Sequence, residues 1–485
     1  MSFLNNIVWS LINVFGVQIL ALITNTILAR ILYPEIFGIL GMAMVFAGLV
    51  LVFQEAGLSS YIIYKDNISK KEEATSFWLN IGLSIILSIL LIISSNKISL
   101  FFNQPDVKAI LIYISIGLLF SSIGITSRAV LMKEKNFKIL TIVDVISEIF
   151  SSILSIYFAL NGHILLAISA RLVIKPIIQT LLLVFLKNDF ILVSPSRESV
   201  ISIVPFSSRY LGSQLFVYLN NNIDYLLIGK LLGSKSLGIY TMAYQWSVLA
   251  RLYISGSINK VAFPEIASAK DNLLHVRDLF LNIIRKLSFI TFPICLGLIA
   301  IANEFVMLIY GDKWYDAIPV LQLLLISGAI TSIGTLGGSV ISGLGKPQIE
   351  MKLNLYSLIV LIIVILSFSF FGIKAIALGI LLRTIIFDGI KVYIVTKLIR
   401  IKQSVYYREI LPSAMTSILM LIIIYITKGI LEFSNPLVSM ITSIIIGIIA
   451  YILLSFWLNR SNISWYMKKL SGILNFQQLN IKQKV

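Results

Sequence analysis

The 485-residue sequence predicts an all-α polytopic membrane protein of about fourteen transmembrane helices, on three observations. First, 58% of the residues are apolar and 13% charged, against about 45–50% and about 25% in soluble domains. Second, apolar windows bounded by charged or turn residues recur along the chain, each long enough for a span of about 20 residues. Third, Lys and Arg alternate between successive loops. With the N-terminus inside, the segments on that face hold 27 of the 39 bases, the opposite face 8 and the spans 4. This is a strong positive-inside pattern that puts both termini in the cytoplasm.

The windows fall near 8–29, 36–62, 74–95, 109–127, 139–159, 163–186, 201–229, 237–257, 287–310, 317–343, 353–372, 375–398, 410–430 and 436–458. The first is longer than the apolar region of a signal peptide and lacks a basic segment before it, so it reads as a retained span. Several windows exceed 25 residues, which predicts tilt or kinks. Residues 272–286 mix apolar and charged side chains and predict an amphipathic helix on the cytoplasmic surface before the ninth span.

An internal repeat organises the windows. At an offset of 200, Arg30, Leu32 and Gly38 fall on Lys230, Leu232 and Gly238. At an offset of 210, Gly162 and Ala167 fall on Gly372 and Ala377. Six helices separate the copies, so the halves are parallel repeats, whose shared midplane region is the usual transport path. The expected organisation is a six-helix lobe at 1–190, a second at 191–400, two extra helices at 401–460 and a cytoplasmic tail at 461–485.

Ala29-Arg30-Ile31-Leu32-Tyr33-Pro34-Glu35-Ile36-Phe37-Gly38 follows the first window, and Asn222-Ile223-Asp224-Tyr225-Leu226-Leu227-Ile228-Gly229-Lys230-Leu231-Leu232-Gly233 closes the seventh. With Phe263-Pro264-Glu265-Ile266 and Gly343-Leu344-Gly345-Lys346-Pro347, in this order and setting, the chain resembles the polysaccharide-transport (Wzx-like) branch of the multidrug/oligosaccharidyl-lipid/polysaccharide flippase superfamily, which includes O-antigen and teichuronic-acid flippases. The resemblance implies a V-shaped pair of lobes in a bacterial plasma membrane, working as a monomer. It also implies transfer of an undecaprenyl-pyrophosphate-linked oligosaccharide from the cytoplasmic to the outer leaflet by alternating access. Coupling to Na+ or H+, and polysaccharide polymerase machinery as a neighbour, are further implications. No other cofactor, no nucleic acid and no enzymatic reaction is expected.

Charges inside spans cost at least about 2.5–3.5 kcal/mol on insertion scales and call for a partner, a cavity or a role. Asp144 and Glu148 lie four apart in the fifth window, Arg171 and Lys175 four apart in the sixth, so each pair shares a helix face. Across the tight Leu160-Asn161-Gly162 corner, antiparallel register sets Glu148 level with Arg171 and Asp144 level with Lys175. Two readings stand: a salt-bridge ladder locking the hairpin, or a relay in which Arg171 or Lys175 meets a substrate phosphate and the freed carboxylate takes a proton or sodium ion. The equivalents at 354, 358, 381 and 385 are uncharged, which favours the relay.

The seventh window carries Arg209, Gln214, Asn220, Asn221, Asn222 and Asp224, with Gln214, Tyr218 and Asn221 on one stripe. Amides and carboxylates suit sugar hydroxyls, and Asn13, Gln18 and Asn25 form a thinner set in the first window. Candidate substrate contacts are therefore Arg171, Lys175, Arg209, Gln214, Asn221 and Arg30; candidate ion-coupling residues are Asp144, Glu148, Asp224 and Glu55. Arg30 and Lys230 mark outer helix ends, where lipid phosphate is the simpler partner. Arg383 and Asp388 read as polar lining only, and Gly334 and Gly338 as helix packing.

Other chemistry is unsupported. Cys295 is a lone apolar cysteine, and Gly345-Lys346 lacks the spacing of a phosphate loop. His163 and His275 fall on opposite faces, which argues against a metal site or a His-based triad. Two competing functions remain: a multidrug cation antiporter, which predicts an acidic cavity with few embedded bases, and a membrane scaffold for glycan assembly that transports nothing. Sorted by location, the net +17 divides into +16 on cytoplasmic segments, +2 outside and −1 in the spans, so the excess reports orientation.

Overall fold

The computed structural model describes residues 3–55, 57–187 and 193–460, which are almost wholly helical. The chain forms two compact units, Met1–Thr241 and Met242–Val485. The tail that the sequence predicts beyond 460 lies outside the described residues.

In the first unit run α1 (Phe3–Ile31), α2 (Pro34–Glu55), α3 (Leu58–Tyr64), α4 (Lys70–Phe102), α5 (Asp106–Lys133), α6 (Phe137–Leu160), α7 (Ile164–Lys187) and most of α8 (Arg197–Leu249). Pro34 opens α2, where its missing N–H has no cost. Ser69 and Glu72 form a reciprocal capping box at the start of α4. The second window splits at Gly57, whose φ of 74° ends α2 and starts the short α3. α5, α6 and α7 pack on one another, with α1 along α6 and α4 along α5.

The polarity of this bundle is inverted relative to a soluble one. On α6, Ser147, Ser151 and Ser155 are fully buried, whereas Phe150 and Ile153 are more than half exposed. On α4, Ser84 is fully buried and Ile93 is 68% exposed. Small hydroxyl residues let helices approach closely and bond to backbone carbonyls, while apolar side chains face lipid.

α8 joins the windows 201–229 and 237–257 into one helical run, broken only at Gly233 (φ 78°). Near that break two segments related by the 200-residue offset cross reciprocally. A Cβ on Gly38 would overlap the carbonyl oxygen of Ser234, and a Cβ on Gly238 that of Pro34. The glycines that mark the repeat are thus each other's clearance. Farther along α2, Gly48 leaves room for the Tyr218 ring, whose hydroxyl lies 3.0 and 2.7 Å from the Met44 and Val45 carbonyls.

In the second unit a π-helical turn (Ala250–Ser255) leads to α9 (Gly256–Ser268), α10 (Leu273–Ala300), α11 (Ala302–Ile309), α12 (Ala317–Gly343), α13 (Pro347–Phe368), α14 (Ile373–Leu398), α15 (Gln403–Leu431) and α16 (Pro436–Leu458). α12 is the buried axis, in contact with α9, α10, α13 and α14. α15 and α16 pack on α10 around Met420, Ile424, Ala450 and Tyr451. The amphipathic segment at 272–286 is not a separate surface helix: it is the first half of α10, continuous with the span, because no breaker separates Lys286 from Leu287.

The repeat is visible in the corners. Lys135 (φ 57°) and Gly345 (φ 76°) end α5 and α12, and Gly162 (φ 78°) and Gly372 (φ 83°) join α6–α7 and α13–α14, each pair 210 residues apart. All fourteen windows fall on helix, and among the described residues eleven helices are long and apolar enough to cross a membrane. The windows 201–229, 237–257 and 375–398 are not among those eleven, so the count of fourteen remains a reading of the sequence.

Candidate functional site: a charged network in the first unit

Four helices of the first unit bring three bases, two acids and three amides together. Glu148 on α6 is fully buried and accepts from Arg171, and from Lys175 Nζ at 2.7 Å, both on α7. Arg171 also donates to Asn25 Oδ1 of α1 at 2.6 Å. One turn earlier on α6, Asp144 receives both terminal nitrogens of Arg128, from α5, at 2.6 Å each. Asn13 of α1 and Gln179 of α7 complete its shell at 2.8 and 2.9 Å.

The predicted register holds for Glu148 and Arg171 and fails for Asp144 and Lys175. Arg128 explains the failure. Its planar fork matches a carboxylate in two parallel hydrogen bonds, which a lysine cannot do, so Asp144 is taken. Lys175 has a flexible four-carbon stem, and Glu148, the acid predicted for the neighbouring turn, is within its reach. Sequence reasoning missed Arg128 because the apolar window ends at 127, which placed this base in a loop. α5 in fact continues to Lys133. The run of apolar residues Ala129, Val130 and Leu131 just beyond it, all buried, was the available signal.

The network is lopsided in charge and in access. Three bases against two acids leave it formally one positive. The acid side chains are sealed, Asp144 at 6% exposed and Glu148 at 0%, while Arg128, Arg171 and Lys175 keep 33%, 20% and 28%. Arg171 Nε is buried and has no partner. Within a membrane bundle such groups are costly unless paired or used; what this one presents outward is cationic.

The other predicted residues lie apart from it. Arg30 is exposed in the last turn of α1. Glu55 is exposed at the end of α2, with Arg128 in electrostatic reach. Asp224 is buried, accepting from Tyr240 Oη at 2.6 Å across the Gly233 break and capping the Tyr225 N–H. On the amide stripe of α8, Gln214 is half-buried and Asn221 exposed, but Tyr218 between them bonds to α2. Asn222 folds back on its own helix, donating to the Tyr218 carbonyl. The side chain of Arg209 lies outside the described residues. The α1 amides Asn13 and Asn25, read as sugar partners, serve the charged network.

The second unit holds a different set. Lys391 of α14 pairs with Glu350 of α13 at 3.0 Å, and Arg285 of α10 with Glu409 of α15. Lys428 of α15 binds Glu304 of α11 at 2.6 Å, with Ser439 of α16 also donating to Glu304. The last two pairs fasten the helices that fall outside the repeat. Asp388, expected only to line a polar face, opens on a cavity.

Comparisons with known proteins agree with this architecture. Residues 27–319 match the family described as "Polysaccharide biosynthesis protein". The chain is 27% identical to the lipopolysaccharide biosynthesis protein WzxC of Escherichia coli (strain K12) over 394 residues, 80% of each chain. It is 30% identical to the teichuronic acid biosynthesis protein TuaB of Bacillus subtilis (strain 168) over 311 residues, 63% of each. Among solved structures, the lipid II flippase MurJ in an inward closed conformation aligns at TM-score 0.76 and 17% identity, covering 94% of this chain and 100% of that one. An inward-facing multidrug resistance MATE transporter of the MOP superfamily aligns at 0.60 and 17% identity, covering 79% and 94%. The fold is theirs, and by sequence the chain belongs to the polysaccharide biosynthesis protein family and is similar to WzxC.

Proposed function

We propose that this multi-pass membrane protein is a flippase that moves a lipid-linked oligosaccharide, carried on a polyprenyl pyrophosphate, across the membrane by alternating access. The observation that carries the reading is the asymmetry of the charged network: buried acids and reachable bases. A pyrophosphate arriving at Arg171, Lys175 and Arg128 finds charge-assisted donors whose own counterions are sealed behind them. A cation antiporter needs the opposite arrangement, with acids facing the substrate. The printed names of relatives support the reading, several being polysaccharide biosynthesis or transport proteins and one a probable flippase.

Within this reading, binding of the anion competes with Glu148 for Arg171 and Lys175, and the released carboxylate takes up a cation. The transport is ion-coupled, the termini are cytoplasmic and the protein acts as a monomer beside the polymerase. The test is genetic. In a host lacking its flippase, Arg171→Ala stops delivery of lipid-linked glycan to the outer face while the protein accumulates in the membrane at normal level. Normal outer-face glycan from that variant removes Arg171 from the mechanism.

A further inference from the structure

Four acids lie within the helical core of the second unit among the described residues, and three have a base at bonding distance: Glu304, Glu350 and Glu409. Among the described residues Asp388 has no hydrogen-bond or ion-pair partner. It lies on α14 fifteen residues from Ile373, about 22 Å along the helix at about 1.5 Å per residue, well inside the helix. Its carboxylate occupies the space that a Cβ on Gly334 would need. Beside it is a cavity of about 250 Å³ lined by Phe292, Ile330, Ile333, Val392, Tyr406 and Tyr407, among others.

The charged groups around it come from three elements, while α10, α12 and α15 bring none to the cavity wall. Arg383 and Lys391 share α14, Glu350 comes from α13 and Arg251 from the π-helical turn, all within electrostatic reach. Lys391 is committed to Glu350, and Arg383 reaches back to the Ser357 carbonyl. Tyr406 and Tyr407 of α15 supply the remaining polar groups of the cavity wall. A metal ion needs several oxygens, and among the described residues no group of three His, Cys, Asp or Glu exists to hold one. A lone carboxylate in an apolar cavity has a simpler way to shed its charge, which is to bind a proton.

We propose that Asp388 is the proton-binding group of the second unit, taking up a proton from water in its cavity and releasing it to water during the transport cycle. On uptake an O–H bond of a hydronium ion breaks as the carboxyl O–H bond forms, and on release the carboxyl O–H breaks as water is protonated again. This rests on the flippase reading for its role in coupling, but the protonation site stands on the cavity alone.

Two measurements test it. Dicyclohexylcarbodiimide, which reacts with protonated carboxyls in apolar surroundings, is applied to the purified full chain, and adducts are located by mass spectrometry. Labelling is expected at Asp388, falling about tenfold per pH unit above its titration midpoint, and absent in Asp388→Asn. An unlabelled Asp388 in the folded chain overturns the proposal. In proteoliposomes, with undecaprenyl-pyrophosphate bearing one N-acetylhexosamine as the probe, an imposed proton gradient is expected to change the wild-type flipping rate. Asp388→Asn should flip at one rate with or without the gradient, and Asp388→Glu should keep the response. A gradient response unchanged in Asp388→Asn, or wild-type flipping indifferent to the gradient, overturns the coupling role and leaves the flippase reading intact. Wild type that moves no probe at all while Asp388 still labels would instead overturn the functional reading.

Discussion

The two units repeat one another in helices and corners but not in charge. α5, α6 and α7 correspond at 210 residues to α12, α13 and α14, down to the left-handed corners Lys135/Gly345 and Gly162/Gly372. Yet Arg128, Asp144, Glu148, Arg171 and Lys175 correspond to Gly338, Asn354, Leu358, Leu381 and Ile385. The second unit has its own charged residues at other positions, and α12 makes room for them with glycines: Gly334 faces Asp388, Gly337 faces Lys391 and Gly338 faces Glu350. A shared backbone plan therefore fixes where helices run and leaves their polar wiring free to diverge. The first unit is wired as a nearly saturated cluster with one surplus base. The second is wired as separate pairs with one acid left over.

Four pairs of substitutions sharpen or break that contrast, taken from the largest expected effect downward. Glu148→Ala leaves Arg171 and Lys175 facing each other without the carboxylate they share, and loss of one member of a buried pair costs about 3–5 kcal/mol. Thermal unfolding in detergent should show a large drop, against at most about 1 kcal/mol for Leu358→Ala at the equivalent position of α13. Equal losses would mean that the cluster adds nothing beyond packing. Gly38→Ala places a methyl on the Ser234 backbone, where neither partner is a flexible side chain. Overpacking of this kind costs about 1–3 kcal/mol, while Gly389→Ala, with open space at its Cβ, should be neutral or slightly stabilising by the same assay.

Lys391→Met, removing the half-buried partner of Glu350, should cost about 1–2 kcal/mol and leave glycan export in the complemented host close to normal. Lys175→Met should abolish export at a similar cost in stability. An export defect of equal size in both would dissolve the functional distinction between the two sets. Tyr240→Phe deletes the hydroxyl that Asp224 accepts across the Gly233 break, and a loss of about 1 kcal/mol is expected for one hydrogen bond. Export insensitive to Tyr240→Phe but lost in Asp224→Asn would give Asp224 a role beyond that clamp.

Much of the first unit's site was legible. Spacing of four and a tight corner placed Glu148 against Arg171, because antiparallel helices joined by a short turn have a fixed register. The same arithmetic failed for Lys175, since register assigns levels and not partners: side-chain reach and a third helix decide which base an acid takes. Arg128 escaped because hydropathy locates the end of an apolar run, whereas a helix and its buried face extend beyond it. Asp388 escaped for a different reason. In the sequence it has Arg383 five residues before it and Lys391 three after, a setting that reads as compensated, and only the packed structure shows both bases engaged elsewhere.

The sequence alone determined the membrane setting, the helical class, the repeat and the family, because each is written in composition or in local order. Partition into lipid sums over residues one at a time, and helices and their glycine corners depend on near neighbours along the chain. Which groups pair, which carboxylate is sealed, which base remains reachable and which acid is left unpaired were decided by the tertiary structure. Those outcomes are competitions among side chains from three or four helices, settled by distance and geometry at scales that no interval along the chain encodes.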